Sequence, residues 1–119
     1  MKLAISAAGP DLSSAIDQRF GRAPYLLIVD TPGRTVQAID NRSGANAIQG
    51  AGVHAAQSDI GSKATVLITG HCGPKAYRAL QAAGVHVYLV AGGTVEEAVS
   101  RFEKGELTLA RAPSMSGNW

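Results

Sequence analysis

The stretch Val66-Leu67-Ile68-Thr69-Gly70-His71-Cys72-Gly73-Pro74-Lys75 contains a short apolar run that ends abruptly at a glycine. An uncharged run of β-branched and aliphatic residues is typical of a strand buried on both faces. Proline fits the first turn of a helix, where its missing N–H costs nothing, so Gly73-Pro74 predicts a helix start. The stretch therefore predicts a strand, a tight elbow and a helix, which is the repeating unit of an α/β fold.

The elbow of this unit carries the only cysteine of the chain, Cys72, next to His71. Free backbone N–H groups and the positive end of the helix dipole meet at a helix start, where they favour anions and lower the pKa of a thiol. Imidazole and thiolate are also ligands that soft metals prefer. The elbow is therefore the candidate functional site, and we expect a lowered pKa for the Cys72 thiol.

The rest of the chain predicts further strands and helices around this unit. Strand patterns cover residues 2–8, 25–30, 35–40, 66–69 and 85–90, and helical patterns cover about 49–60, 74–83 and 95–104. Pro32-Gly33 indicates a type II turn in a hairpin, and Thr94-Val95-Glu96-Glu97 fits a capping box. This order predicts an α/β fold, a three-layer α/β/α sandwich with a mixed five-stranded sheet.

Helical spacing also predicts which faces are buried. In the first helix the apolar positions are Val53, Ala56 and Ile60. In the second they are Ala76, Tyr77, Leu80 and Ala83, and Gly84 is expected to end that helix. The alternation of polar and apolar residues at 35–40 is typical of an edge strand.

Length and composition limit the possible architectures and partners. The 119 residues, 45% of them apolar, are enough for one core, so we expect a single domain at 1–110 and a loosely ordered tail at 111–119. The net charge of +2 is too small to indicate nucleic-acid binding. A lone cysteine excludes an internal disulfide, and neither a signal peptide nor a membrane span is recognisable. We therefore expect a cytoplasmic protein with no membrane or nucleic-acid partner.

Residues 11–24 predict a long irregular segment, and such segments in compact domains are usually functional. Ligands of open α/β sheets bind beyond the carboxyl ends of the strands, where the strand order reverses. We therefore expect the segment from Ala8 to Pro24 to act as a lid or binding loop that faces the elbow at Gly70 to Lys75.

Four blocks of the sequence resemble the dinitrogenase iron-molybdenum cofactor family. They are residues 17–25 (DQRFGRAPY), 50–57 (GAGVHAAQ), 67–77 (LITGHCGPKAY) and 93–98 (GTVEEA), and they occur in order over nearly the whole chain. The resemblance implies a ribonuclease H-like fold and a non-enzymatic domain that carries a metal-sulfur cluster containing molybdenum with copper or iron. It also implies a protein partner that donates or accepts the cluster.

The resemblance and the charge pattern together select the candidate site residues. Metal-sulfur clusters are usually anionic and suit cationic side chains and free N–H groups. The candidate cofactor-binding residues are Ala8, Gly9, Arg19, Phe20, Gly21, Arg22, Asn41, Gly70, Gly73, Pro74, Lys75 and Gly93. The candidate metal ligands are Cys72, His71 and His54. One thiol is few for a soft multinuclear cluster, so we expect charge to hold it more than ligation.

Two alternatives remain from the residues themselves. His71-Cys72 followed by Arg78 matches the H-C-x5-R spacing of thiol-dependent phosphoryl-transfer enzymes. Against it, Pro74 starts a helix within the segment that such enzymes keep as a flexible loop. A cluster-free protein-interaction module is the second alternative, because an edge strand can pair with a partner's sheet. We expect a monomer or a weak dimer.

Overall fold

A computed structural model describes residues 1–42 and 50–113 of the chain. The strands are β1 (Lys2–Ala7), β2 (Tyr25–Asp30), β3 (Thr35–Asp40), β4 (Val66–Thr69), β5 (His86–Leu89) and β6 (Thr108–Leu109). They form one mixed sheet in the order β3-β2-β1-β4-β5-β6. Strands β1, β4 and β5 run parallel, whereas β2, β3 and β6 pair antiparallel with their neighbours.

The predicted number of five strands is wrong, because the sheet has six strands. The additional strand, β6, pairs Leu109 with Tyr88 and Thr108 with Leu89. Two residues are too few to produce an alternation in the sequence. This pairing adds β6 to the sheet beside β5. The segment after α3 therefore lies at the edge of the sheet.

Helices lie on both faces of the sheet, which confirms the mixed α/β architecture. They are α1 (Ala51–Gly61), α2 (Pro74–Ala82) and α3 (Val95–Glu103), with a short 3-10 helix at Phe20–Arg22. One apolar cluster joins α1 and α2 to the sheet through side chains such as Ala56, Leu67 and Leu80. A second cluster joins α3 to the other face through Ile5, Ile68 and Val99. The sheet is therefore the middle of three layers.

The predicted boundaries of α2 and α3 agree closely with the structure. Pro74 is the first residue of α2, and Gly84 follows the helix at a φ of 78°. The Thr94 hydroxyl accepts a hydrogen bond from the N–H of Glu97, whose carboxylate accepts one from the N–H of Thr94 at 2.8 Å. The capping box predicted for α3 is therefore confirmed.

The buried face predicted for α1 is partly wrong. Ile60 is 36% exposed, and the buried residues are Ala51, Gly52, Ala55, Ala56 and Asp59. Because the inward residues are small, α1 lies close against α2 and the 3-10 helix and leaves the larger Ile60 outside. Ala83, predicted to be buried, is also exposed because it follows the end of α2. Residue 49, where the helical pattern was predicted to begin, lies outside the described residues.

The β2–β3 hairpin is confirmed, but its turn is not of type II. A type II turn would place a positive φ at Gly33, whereas the structure has it at Arg34, with φ 57°. The Arg34 N–H donates to the Asp30 carbonyl at 2.6 Å, and the Thr31–Pro32 peptide is cis. Strand β3 lies at one edge of the sheet, as predicted, and almost all its residues are exposed. Of the predicted tail, residues 114–119 lie outside the described ranges.

Candidate functional site at the carboxyl ends of β4 and β5

The loop after β1 is fastened to the elbow after β4 by backbone hydrogen bonds. The N–H of His71 donates to the Gln18 carbonyl at 2.7 Å, and the N–H of Phe20 donates to the His71 carbonyl at 3.3 Å. Further back, the Ser6 hydroxyl donates to the Asp17 carbonyl at 2.7 Å. The loop and the elbow therefore face each other as predicted, and the bonds make this segment a fixed wall rather than a movable lid.

Gly70 is required by the close approach of the loop. A Cβ atom at Gly70 would lie 2.8 Å from the Cα of Gln18, which is closer than folded proteins allow, and it would also overlap the Gln18 side chain. Gly93 is required for a different reason, since its φ of 95° is in the region that favours glycine. Both glycines were candidates from sequence, and both lie beside the loop after β1, where the Ile16 N–H donates to the Gly93 carbonyl.

An open pocket of about 590 Å³ lies where β4 and β5 end. Its walls come from the loop, the elbow, the end of β5, α3 and β6: Gln18, Gly70, His71, Leu89, Val90, Ala91, Arg101 and Thr108. Its volume falls within the roughly 300–1,000 Å³ typical of small-molecule sites. Of the residues singled out from sequence, only Gly70 and His71 line it. Gln18 lies in the predicted binding loop but was not singled out, whereas Arg101 and Thr108 were missed because nothing local in the sequence connects segments so far apart.

Cys72 lies in the core and not in the pocket. Its side chain is 1% exposed and belongs to the same buried cluster as Phe20, Ala55 and Tyr77. Burial, with a smaller contribution from the nearby Asp59 carboxylate, raises the pKa of the Cys72 thiol to about 12. The lowered pKa predicted for this thiol is therefore wrong, since loss of hydration outweighs the helix dipole at this position.

Asp59 is a buried carboxyl group that sequence analysis missed. It lies on the inward face of α1 with an exposed fraction of 0%, and neither of its carboxylate oxygens has a hydrogen-bond partner. Burial raises the pKa of Asp59 to about 8. At neutral pH the group is therefore mostly protonated within an apolar cluster, where the neutral acid is easier to accommodate than the anion.

The two arginines predicted to contact the cluster do not line the pocket. Arg19 is exposed, and its Nε lies 3.7 Å from a carboxylate oxygen of Asp17. Arg22 is half-buried at the end of the 3-10 helix, in which Phe20 and Gly21 are buried. These residues form the back of the loop.

The remaining sequence candidates hold or flank the loop. Asn41 is 3% exposed and donates to the Ala23 carbonyl at 2.8 Å and to the Gly21 carbonyl at 3.4 Å, so it braces the 3-10 helix. Ala8 is exposed and donates its N–H to the Ala15 carbonyl at 2.9 Å. Residues 73–75 form the start of α2 beside the elbow, with Lys75 exposed, whereas Gly9 lies in the turn after β1.

The three predicted metal ligands are not gathered into one site. His54 is exposed on α1, His71 lines the pocket and Cys72 is buried. Within residues 1–42 and 50–113, no three His, Cys, Asp or Glu side chains are placed to hold a metal ion. Any metal held here would therefore have to bring most of its own ligands.

No helix in the described part of the chain is both long and apolar enough to cross a bilayer.

Comparison with known proteins places the chain in a family. A search among curated proteins gives no significant match. Among solved structures, the apo form of the orange protein from Desulfovibrio gigas is 41% identical, with a TM-score of 0.90 and 96% of each chain covered. A candidate NifB protein from Thermotoga, of the DUF35 family, is 36% identical, with a TM-score of 0.84 and 98% of each chain covered.

A more distant structure agrees in fold alone. A candidate dinitrogenase from Methanocaldococcus jannaschii is 22% identical, with a TM-score of 0.71 over 95% of this chain and 97% of its own. The family model described as "dinitrogenase iron-molybdenum cofactor" matches residues 1–105. Because this match spans most of the chain, the protein belongs to the dinitrogenase iron-molybdenum cofactor family.

Proposed function

We propose that this protein binds and carries an anionic metal-sulfur cluster at the carboxyl ends of β4 and β5 and catalyses no reaction. The observation that carries the proposal is the open pocket of about 590 Å³, which has the cationic Arg101 and the imidazole of His71 in its walls. Membership of a family named for a metal cofactor supplies the class of cargo. Molybdenum with copper or iron is the proposed metal content.

The geometry favours charge over ligation as the means of holding the cluster. A thiolate ligand must be deprotonated, and the Cys72 thiol, with a pKa of about 12, strongly resists this in its buried position. His71 is the predicted ligand that the pocket presents. A cluster that brings its own sulfides needs few protein ligands, so the scattered positions of His54, His71 and Cys72 are compatible with carriage.

A thiol-dependent phosphoryl-transfer enzyme is less well supported. Its nucleophile would be the Cys72 thiolate, which such chemistry needs exposed and stabilised. Here the thiol is 1% exposed and its pKa is raised by burial. Pro74 begins α2 only two residues later, which leaves no phosphate-wrapping loop before Arg78.

The proposal also includes the topology, the location, the oligomeric state and the protein partner. The order β3-β2-β1-β4-β5, with β2 antiparallel to its neighbours, supports the ribonuclease H-like topology that the resemblance implies. A cytoplasmic location, a monomeric or weakly dimeric state, and a protein that donates or accepts the cluster complete the proposal.

The test is to load the purified protein without oxygen with tetrathiomolybdate and copper(I) and then to remove unbound metal by gel filtration. We expect visible absorption to elute with the protein and amide NMR signals to shift in residues 8–22, 70–75 and 89–91. Retention should fall as salt is added, since charge-assisted contacts are screened. Absence of retained colour, or shifts confined to residues 37–40, would contradict the proposal.

A further inference from the structure

We propose that Arg101 and Gln18 are the residues that hold and position the cargo in this pocket. The cargo would then lie toward α3, on the opposite side of the sheet from Cys72. This inference rests on the proposed function and deepens it. It replaces the arginines of the loop, which sequence patterns single out, with an arginine of α3 that they do not.

Arg101 is the cation in the pocket that is available to an anion. Within residues 1–42 and 50–113 its guanidinium has neither a hydrogen bond nor an ion pair. By contrast, the Arg34 guanidinium lies 2.7 Å from a carboxylate oxygen of Glu103, and that of Arg42 lies 2.6 Å from one of Asp40. These two arginines are already neutralised, whereas Arg101 can give its charge to a ligand.

The acidic residue one helical turn before Arg101 is held away from it, and Glu103, two residues after it, pairs with Arg34. Glu97 lies four residues earlier, at the spacing where helical ion pairs form. Its carboxylate instead accepts the Thr94 N–H at 2.8 Å in the capping box. The cap at the start of α3 therefore stabilises the helix and also leaves the charge of Arg101 uncompensated.

The side chain of Gln18 lies beside two glycines. A Cβ at Gly70 would come within 2.7 Å of the Gln18 Cδ, and one at Gly92 would lie 3.8 Å from its Nε2. The amide is thus packed against bare backbone on two sides at the wall of the pocket. It supplies a neutral hydrogen-bonding group at the wall of the pocket, so we assign Gln18 as a positioning residue.

The walls favour a polynuclear thiometallate over a small oxyanion. Leu89, Val90 and Ala91 line one side with apolar groups, whereas Gln18, Arg101 and Thr108 contribute polar ones. Oxygen atoms of phosphate would lose strong hydration against the apolar wall. Sulfide is softer and more weakly hydrated, and a cluster with diffuse negative charge can contact both kinds of wall. The pocket also equals about twenty water volumes at ~30 Å³ each, which is generous for one tetrahedral oxyanion.

The test compares the parent protein with Arg101→Gln, Arg101→Lys and the control Arg78→Gln. Arg78 is an exposed arginine of α2, outside the pocket. Each protein is titrated without oxygen with tetrathiomolybdate and copper(I), and binding is followed by visible absorption at low salt. Amide spectra of the free variants check that each is folded.

We expect Arg101→Gln to weaken binding about 10- to 100-fold, as the loss of a charge-assisted contact implies, and Arg101→Lys to weaken it less. Arg78→Gln should bind within about twofold of the parent, since Arg78 does not line the pocket and makes no contact with a ligand there. Gln18→Ala should weaken binding without reducing its dependence on salt. Inorganic phosphate should compete poorly with the thiometallate.

The failures of the two proposals are distinguishable. If the parent binds tightly and Arg101→Gln binds equally well, while a combined Arg19→Gln, Arg22→Gln variant loses binding, the α3-side inference is wrong and the carrier function stands. If phosphate competes as well as the thiometallate does, the assigned class of ligand is wrong. If the folded parent binds no thiometallate at all, both the function and the inference are overturned.

Discussion

His71 and Cys72 are adjacent in sequence, yet the structure places them in opposite environments. His71 lines an open pocket with Gln18 and Arg101, whereas Cys72 is sealed beneath α1 and α2 near Asp59. The first environment offers unpaired charge to solvent. The second holds two ionisable groups in their neutral forms. Neighbouring residues at a strand end can therefore lie in a pocket wall and in the core, and residue type alone does not tell which.

The largest expected effect is on the free energy of unfolding, and it comes from Asp59 in the buried environment. Its pKa is raised from 3.8 to about 8, so the folded protein binds this proton more tightly than the unfolded chain does. The resulting stability is complete below about pH 4 and is lost as the pH rises to about 8, by an amount on the order of 5 kcal/mol. Asp59→Asn should remove this slope, which chemical unfolding at pH 5, 7 and 9 would measure.

Glu106→Gln is the matched control for that experiment, because Glu106 is exposed and its side chain makes no described contact. It should keep the slope of the parent. The same slope in Asp59→Asn and in the parent would mean that Asp59 is not the group responsible.

The next effect is on the reactivity of the Cys72 thiol. Raising its pKa from 9.0 to about 12 reduces the thiolate fraction about a thousandfold near pH 8, at tenfold per pH unit. Alkylation by iodoacetamide should therefore be very slow in the folded protein and fast after denaturation, as mass spectrometry would show. Rapid labelling of the folded protein at pH 7 would instead mean that the thiol is accessible to solvent. Cys72 would then again be a candidate ligand or nucleophile.

A smaller loss of stability is expected at Gly70, where the pocket and the buried environment of Cys72 meet. Gly70→Ala should destabilise the fold by about 1–3 kcal/mol, because the new methyl group collides with the backbone of Gln18. Gly61→Ala is the control, since no atom of the described residues lies within 4 Å of a Cβ there and alanine is the better helix former. Urea unfolding should show Gly61→Ala neutral or slightly stabilised. Equal losses in both variants would show that close approach is not what Gly70 provides.

The smallest effect concerns the cap of α3, on the open side. Thr94→Ala removes the hydroxyl that accepts the Glu97 N–H and should cost about 1 kcal/mol, or a few degrees in melting temperature. The loss should be similar at pH 5 and pH 8, unlike that of the Asp59 variant, because the hydroxyl does not titrate. A melting temperature unchanged from the parent would show that the cap does not contribute.

Local signals predicted much of the frame. The apolar run of β4, Pro74 at the start of α2 and the capping box of α3 each depend on a few consecutive residues, and each is found where it was predicted. The turn at Pro32-Gly33 was misassigned because the dipeptide fits a type II turn, whereas the strand pairing places the positive φ at Arg34. Strand β6 depends on pairing with β5 and has no signal of its own.

The candidate site was predicted less well, because its chemistry depends on distant contacts. His71 and Gly70 were recognisable from the elbow, but Arg101 and Thr108 reach the pocket only through the packing of α3 and β6. The thiol prediction considered the helix dipole without knowing the burial of Cys72. Asp59 resembled an ordinary polar residue of a helix, and only the position of α1 against the sheet reveals that it faces inward.

The amino terminus is a suitable attachment point for a linker, because it lies away from the pocket. The Met1 amino group donates to the Thr31 carbonyl at 3.2 Å, at the end of the sheet where β1 begins. Because β1 and β4 are parallel, the end of the sheet where they begin is opposite the end that carries the pocket. The two ends are about 20 Å apart for a six-residue strand at ~3.3 Å per residue. A linker attached through that amine would immobilise the protein with the pocket at the ends of β4 and β5 turned toward the solution.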